Sequence, residues 1–416
     1  MITTLKNLRG NARGCVYTEP LWGIPFHLYA PYASVYMLTF GITDTQVGLI
    51  ASIGLIVQVL WTVMSGAITD KLGRKRTTLI FDILSWAVPG LILAVAQNIY
   101  YFIAAAVINS AWRVVHNAWQ CLLVEDTDPD LLVDIYSWIY IAGLLAAFIS
   151  PLTGLLIDRF SLVPTVRGLY LLAFVMMTGK ALLTNALVAE TRQGQVRMQE
   201  TRHQPLFAVL GGSKTILQQI WKTPNVLVMA GLLLILGIYN MVQGTFWSIL
   251  VTEKLDVPVQ YLAYYAWGRS VVMLLLFFLV MPRIRHVDPH KPMLIGFLGL
   301  LFSQALLIAT PAKNYGLLLA ATALEACSLP LINTMLEKLL VLAVDAKERS
   351  RTLAILYTTV IVFTSPFGWI AGQISDLDRR LPFALLIALL ATGGLLSYVA
   401  SRLNKQRQKR QQEKSQ

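Results

Sequence analysis

Long apolar runs separated by short polar breaks set the pattern of this chain. They fall near 16–40, 45–69, 77–96, 99–124, 132–157 and 167–189, and again near 224–251, 259–281, 291–311, 315–343, 350–374 and 381–402. About 20 apolar residues suffice for a helix to cross the hydrocarbon core of a bilayer, so each run is predicted to span it; they are numbered span 1 to span 12. A polar, basic stretch, 190–223, separates the two sets of six, and its amphipathic patch at 207–221 suits a membrane surface. The pattern predicts an arm (1–15), a six-helix half (16–189), a linker (190–223), a second six-helix half (224–402) and a basic tail (403–416) without order of its own. The expected fold is an all-α membrane protein.

Composition agrees. Of 416 residues 56% are hydrophobic and 13% charged, against about a quarter charged in soluble domains. The net charge of +12 would suit nucleic acid if it were spread over one face, but it is segregated along the chain. With the arm placed in the cytoplasm, the opposite side holds Arg159, Arg167, Lys254, Lys313, Arg379 and Arg380, while Arg113, Lys180 and Arg269 lie inside spans. Every other base of the 34 falls on the arm's side. This bias puts both termini in the cytoplasm and makes the lipid bilayer, not nucleic acid, the partner of the basic charge. Cys15, Cys121 and Cys327 lie in or beside apolar runs and form neither a disulfide framework nor a zinc spacing. The first apolar run is too long for a cleavable signal peptide. No HExxH, phosphate-binding glycine loop or nucleophile–base pair is present, so no enzyme, metal or cofactor is expected.

The two halves look like repeats. Phe148-Ile-Ser-Pro151 in span 5 matches Phe363-Thr-Ser-Pro366 in span 11, and the same offset places Tyr100 on Tyr315 at the starts of spans 4 and 10. Between spans 2 and 3 runs Gly66-Ala-Ile-Thr-Asp-Lys-Leu-Gly-Arg-Lys-Arg76. Gly66 and Gly73 permit tight turning and close backbone approach, and Asp70 is one acid among Lys71, Arg74, Lys75 and Arg76. This stretch resembles the loop 2–3 signature of the major facilitator superfamily (MFS) of secondary transporters. The resemblance implies twelve transmembrane helices in two pseudo-symmetric six-helix bundles of a cell membrane, a mid-membrane substrate site between them, and alternating access by a monomer. It further implies that Asp70 faces the start of span 11 near Arg349 and Arg351, and that Arg74 reaches Glu125 or Asp126. These contacts would hold the outward-open state. Loop 4–5 is wholly acidic (Glu125, Asp126, Asp128, Asp130, Asp134), facing the basic loop 2–3.

Polar residues inside spans mark the candidate chemistry, because lipid cannot satisfy them. In span 4, Asn109, Arg113, His116, Asn117 and Gln120 fall on one sector of a helix, with Arg113 about 18 Å of helix from Glu125. Arg113 resembles the span 4 arginine of the antiporter pattern R-x-x-x-G, although His116-Asn117-Ala118 follow it here. Glu19 precedes Pro20, Gly23 and Pro25, which loosen the helix, with His27 two turns on. A buried carboxylate beside a movable cation can carry a coupled proton, and Glu19 resembles the span 1 acids of drug/proton antiporters. Glu325 in span 10 has Arg269 and Arg113 as natural partners, either as a structural pair or as a substrate or proton site. Asn240, Gln243 and Trp247 in span 7, and Gln58, Trp61, Thr62 and Ser65 in span 2, suit cavity lining or helix–helix bonding. Lys180 and Asp82 are expected to snorkel or pair locally. Pro151 and Gly154 occupy positions of the antiporter motif of span 5, where a proline seeds a bend. The resemblance favours proton-driven efflux of a small amphipathic solute; uptake of a sugar-like solute suits the same residues, and a non-transporting sensor on this fold is the remaining alternative.

Overall fold

A computed structural model describes residues 8–128, 131–202, 224–284, 287–343 and 349–415. The amphipathic patch at 207–221 and Asp130 lie outside the described residues. Ten helices among those described are long and apolar enough to cross a membrane, from Asp44–Leu72 to Leu381–Tyr398. Spans 1 and 4 are the remaining two, and each is interrupted. Span 1 runs as Gly10–Thr18, Pro20–Tyr29, the tighter turn Ala30–Tyr32 and Ala33–Leu38. Span 4 runs as Ile99–Asn109 and Trp112–Val124. Large apolar side chains such as Leu60, Val175, Ile295 and Phe302 stay on the outside, as a lipid solvent requires.

The chain forms two compact units. One comprises Met1–Gly211 with Pro258–Trp267; the other comprises Gly212–Val257 with Gly268–Gln416. In the first unit the interruptions follow from the sequence. Pro20 and Pro31 lack the N–H that would continue a helical ladder. In span 3, Pro89 has no N–H for the carbonyl four residues back, and the helix widens into a π-turn at Ile83–Ala87. The carbonyl of Ser85 instead accepts from Asn109 Nδ2 of span 4 at 2.7 Å. Span 5 tightens at Ala147–Ile149 and restarts with Pro151 at the first helical position. A Cβ on Gly154 would lie 2.5 Å from the carbonyl oxygen of Gln260, and Ser150 Oγ donates to the Ala263 carbonyl at 3.1 Å. The bend and the small residue thus let segment 258–267 pack closely onto span 5.

In the second unit Gly296 approaches span 10 closely: an added Cβ would be 3.0 Å from the Ser328 carbonyl. Gln304 Nε2 donates to Tyr239 Oη at 3.3 Å. Both polar segments carry helix, and for the tail this reverses the expectation. The linker begins with a helix, Arg192–Thr201, because Thr191 caps it by accepting from the Gly194 N–H at 2.9 Å. The basic tail continues the last span as helix to Ser415, since its Lys, Arg, Gln and Glu are good helix formers and no Gly or Pro intervenes.

The close approach at Gly154 yields a prediction. Gly154→Ala should lower stability by about 1–3 kcal/mol through overpacking, read as a fall in thermal midpoint of the purified protein. Gly143→Ala, in the same span with nothing within 4 Å of an added Cβ, should be neutral or stabilising by up to about 1 kcal/mol.

Candidate functional site

Spans 1, 3, 4 and 6 build a charged, aromatic centre inside the first unit. Thr18 Oγ1 donates to the Gly14 and Cys15 carbonyls (2.9 and 3.2 Å) and lies 2.7 Å from Thr184 Oγ1. That contact fixes span 1 against span 6. Glu19 follows Thr18 directly, and Lys180 precedes Thr184 by one turn on the same helix face, so the pair of threonines brings acid and base to one place. Lys180 Nζ is 2.8 Å from Asp82 Oδ2, and the two residues are 5% and 1% exposed. Glu19 Oε2 is buried with no hydrogen-bond partner.

A cavity of about 290 Å³ opens beside these groups. Its walls are the indoles of Trp22, Trp86, Trp112 and Trp119 with Phe26, and Glu19, His116 and Lys180 supply its polar lining. Trp22 stacks on Phe26, one turn on, at 4.8 Å between ring centroids, and meets Trp86 edge-on at 5.1 Å. Besides Glu19 Oε2, the indole nitrogens of Trp22 and Trp119 are buried without partners. Buried polar atoms are nearly always paired, so one acceptor and two donors on a single cavity's lining mark a place that polar atoms of a solute can satisfy.

Other span residues are dispersed. Arg113 lies over the Trp112 ring at 4.9 Å, and Trp112 meets His116 edge-on at 5.8 Å. Asn117 Nδ2 donates to Thr69 Oγ1 at 3.4 Å, and Gln120 Oε1 accepts from Tyr136 Oη at 3.0 Å. His27 packs its ring edge-on against Phe26 at 5.6 Å and does not line the cavity. In span 2 the Thr62 and Ser65 hydroxyls donate to carbonyls of their own helix, and Trp61 meets Phe81 edge-on. In the second unit Glu325, 2% exposed, pairs with Arg269 at 3.0 Å and accepts from Gln243 Nε2 at 3.0 Å; Asn240 is exposed.

The loop after span 2 organises a second ionic cluster. Gly73 has φ +85°, and a Cβ there would meet Glu190 Oε2 at 2.5 Å. Glu190 accepts from the backbone N–H of Arg74 and of Lys75, each at 3.0 Å, and so caps the start of span 3 with an anion. Arg74 Nη2 reaches Glu125 Oε1 at 3.0 Å, and its Nη1 reaches Asp70 Oδ1 at 3.0 Å. Arg197 Nη2 takes Asp70 Oδ2 at 2.9 Å; hydrogen bonding and charge from Asp70, then Glu200, raise the Arg197 pKa above its ordinary value. Thr191 Oγ1 donates to Glu125. Asp126 is exposed. The side chains of Arg349 and Arg351, expected opposite Asp70, lie outside the described residues, as does that of Asp134. Among the described residues a Cβ on Gly66 would meet nothing within 4 Å, whereas the positive φ of Gly73 and its close contact with Glu190 require glycine there.

Residues 23–284, more than half of the chain, match the sequence model of the Major Facilitator Superfamily. The chain belongs to that superfamily. No curated protein sequence matches it. Solved MFS-type structures share the fold at low identity. The nucleoside transporter NupG (D323A mutant) superposes with a TM-score of 0.74 at 13% identity, covering 94% of this chain and 100% of its own. A POT family transporter in complex with 5-aminolevulinic acid gives 0.69 at 12%, covering 93% and 94%. The human organic anion transporter MFSD10 (TETRAN) gives 0.64 at 14%, covering 93% and 99%. As an MFS member the chain is a multi-pass membrane transporter and not an enzyme.

Within this MFS protein the residues picked from sequence divide clearly. The structure groups Glu19 with His116, and Gln243, Arg269 and Glu325 with one another. The cation sharing Glu19's cavity is Lys180; Arg113 is not among the lining residues. Of the two expectations for Lys180 and Asp82, local pairing is the one observed: the lysine is 5% exposed and ion-paired with Asp82. The aromatic wall was not anticipated either. Its signals were Trp22 and Phe26 four apart and Trp112 and Trp119 seven apart, spacings that put each pair on one helix face.

A buried pair stripped of one partner leaves an uncompensated charge. Lys180→Met should therefore cost about 3–5 kcal/mol, measured by thermal unfolding in lipid nanodiscs. Lys180→Met combined with Asp82→Leu should recover most of that loss.

Proposed function

We propose that this MFS protein is a proton-coupled exporter, exchanging protons for a small amphipathic solute by alternating access, with Glu19 as the proton-carrying group. The observation that carries the reading is the unpartnered Glu19 Oε2 on an aromatic-walled cavity. A carboxylate left unpaired away from water is costly unless it takes up a proton or a cation. Proton and cationic solute then compete for one oxygen, which is the requirement for exchange. Lys180 is already neutralised by Asp82 at 2.8 Å, so it leaves the Glu19 charge available. The cluster of Asp70, Arg74, Glu125, Glu190 and Arg197 is read as a latch whose pairs change between states. The proton gradient is the energy source in this reading, with no bound cofactor, in the cytoplasmic membrane and with both termini in the cytoplasm.

Proteoliposomes carrying a pH-sensitive dye test the proposal. Addition of an amphipathic quaternary ammonium ion, which carries no proton across lipid itself, should dissipate an imposed pH gradient with wild type and not with Glu19→Gln. Coupled flux that survives Glu19→Gln would overturn Glu19 as the carrier. A second reading, uptake of a polar solute, is favoured by the Arg269, Glu325 and Gln243 cluster, whose Arg269 side chain is 33% exposed, and by neighbours of the fold that transport nucleosides. Proton entry evoked by a nucleoside or peptide, and lost in Glu325→Gln, would establish that reading instead.

A further inference from the structure

We infer that the first unit by itself holds a two-chamber binding site for an organic cation: a protonated amine with an apolar tail and an acceptor oxygen near the nitrogen. The inference deepens the reading above and rests on it for the role of Glu19.

The first chamber is the cavity beside Glu19. A second, of about 270 Å³, lies against it and shares the side chains of Phe26 and Trp86 as walls. Its lining is uncharged and mainly apolar, including Ala33, Met37, Ile50, Leu93 and Phe102, with Tyr29, Tyr170 and Asn109 as its polar members. Each chamber alone is at or below the smallest volumes that hold a drug-sized ligand, about 300 Å³, and a ligand occupying both falls inside the usual range. All residues lining both chambers belong to spans 1, 2, 3, 4 and 6 of one unit.

The chemistry of the first chamber selects the head group. Indole and phenyl faces attract a cation, and the Glu19 oxygen offers it a charge-assisted hydrogen bond. The unpartnered N–H groups of Trp22 and Trp119 are donors only, so they call for an acceptor atom on the same ligand. The second chamber receives the tail, because its lining carries no charged side chain: its polar groups are the Tyr29 and Tyr170 hydroxyls and Asn109, whose amide is spent on Ser85. The partition has a built-in means of yielding. Trp86 sits in the π-turn Ile83–Ala87, a feature frequent at functional sites, where the ring is carried by backbone outside the regular ladder.

Binding of ethylammonium, hexylammonium and hexanol to the full chain in nanodiscs, titrated calorimetrically against empty nanodiscs, tests the inference. A further probe, 2-methoxyethylammonium, adds the acceptor oxygen. Hexylammonium should bind wild type at least about tenfold more tightly than ethylammonium, as burial of a few methylenes requires. Ala33→Phe should remove that gain and leave ethylammonium unaffected, whereas Glu19→Gln should weaken every amine about tenfold or more. The methoxy probe should exceed ethylammonium. Equal affinity for the two alkylammonium ions in wild type, or hexanol binding as tightly as hexylammonium, would overturn the two-chamber cation site without recourse to any variant. No gradient is imposed, so binding as expected with no proton flux would sink the exporter reading alone. Proton flux with another solute and no chain-length dependence would sink this inference alone.

Discussion

A membrane interior offers charged groups no water, so each must find a partner in the protein or remain neutral. The first unit depends on this constraint at one place. Spans 1, 3 and 6 bring Glu19, Asp82 and Lys180 together; base and one acid pair at 2.8 Å, and Oε2 of the other acid is buried with no hydrogen-bond partner. Two acids and one base cannot all be matched. In the proposed reading this Glu19 oxygen, with the unpartnered indole N–H groups of Trp22 and Trp119 beside it, is what gives the bundle something to exchange.

The surrounding architecture serves that imbalance. Thr18 and Thr184 hold spans 1 and 6 in register, and proline-driven interruptions at Pro20 and Pro89 give the aromatic residues positions that regular helices would not. At the end of the unit where spans 2 and 3 join, the charges are matched instead. Glu190 caps a helix start, Arg74 links Asp70 to Glu125, and Arg197 completes the acids. Arg74 at the centre of this cluster is buried, 5% exposed, whereas Arg197, at 38%, is open to solvent. The second unit buries another acid, Glu325, but supplies it with both a cation and an amide donor.

The architecture was legible because its cause is local and repetitive: apolar length, loop charge and the 66–76 motif each point to the same twelve-span transporter fold. Glu19 and the Arg269–Glu325 pair were legible too, since an ionisable residue inside an apolar run needs an explanation wherever it falls. The base that shares Glu19's cavity was not. Arg113 and Lys180 are both intramembrane bases, and only the packing of span 1 on span 6 decides between them. The helix after Arg402 does not show in the charge pattern; it follows from strong helix formers that continue an existing helix. The breaks in spans 1 and 4, and the π-turn that carries Trp86, depend on tertiary partners such as Asn109 that periodicity does not display.

The most direct measurement of the central claim is proton release on binding, recorded in weakly buffered nanodiscs as hexylammonium is added to the full chain over a range of pH. If cation and proton compete for Glu19, binding should weaken as pH falls, and release should rise toward a single proton per cation bound. Glu19→Gln should release none. Binding without proton release at every pH, or release unchanged in Glu19→Gln, would contradict the account.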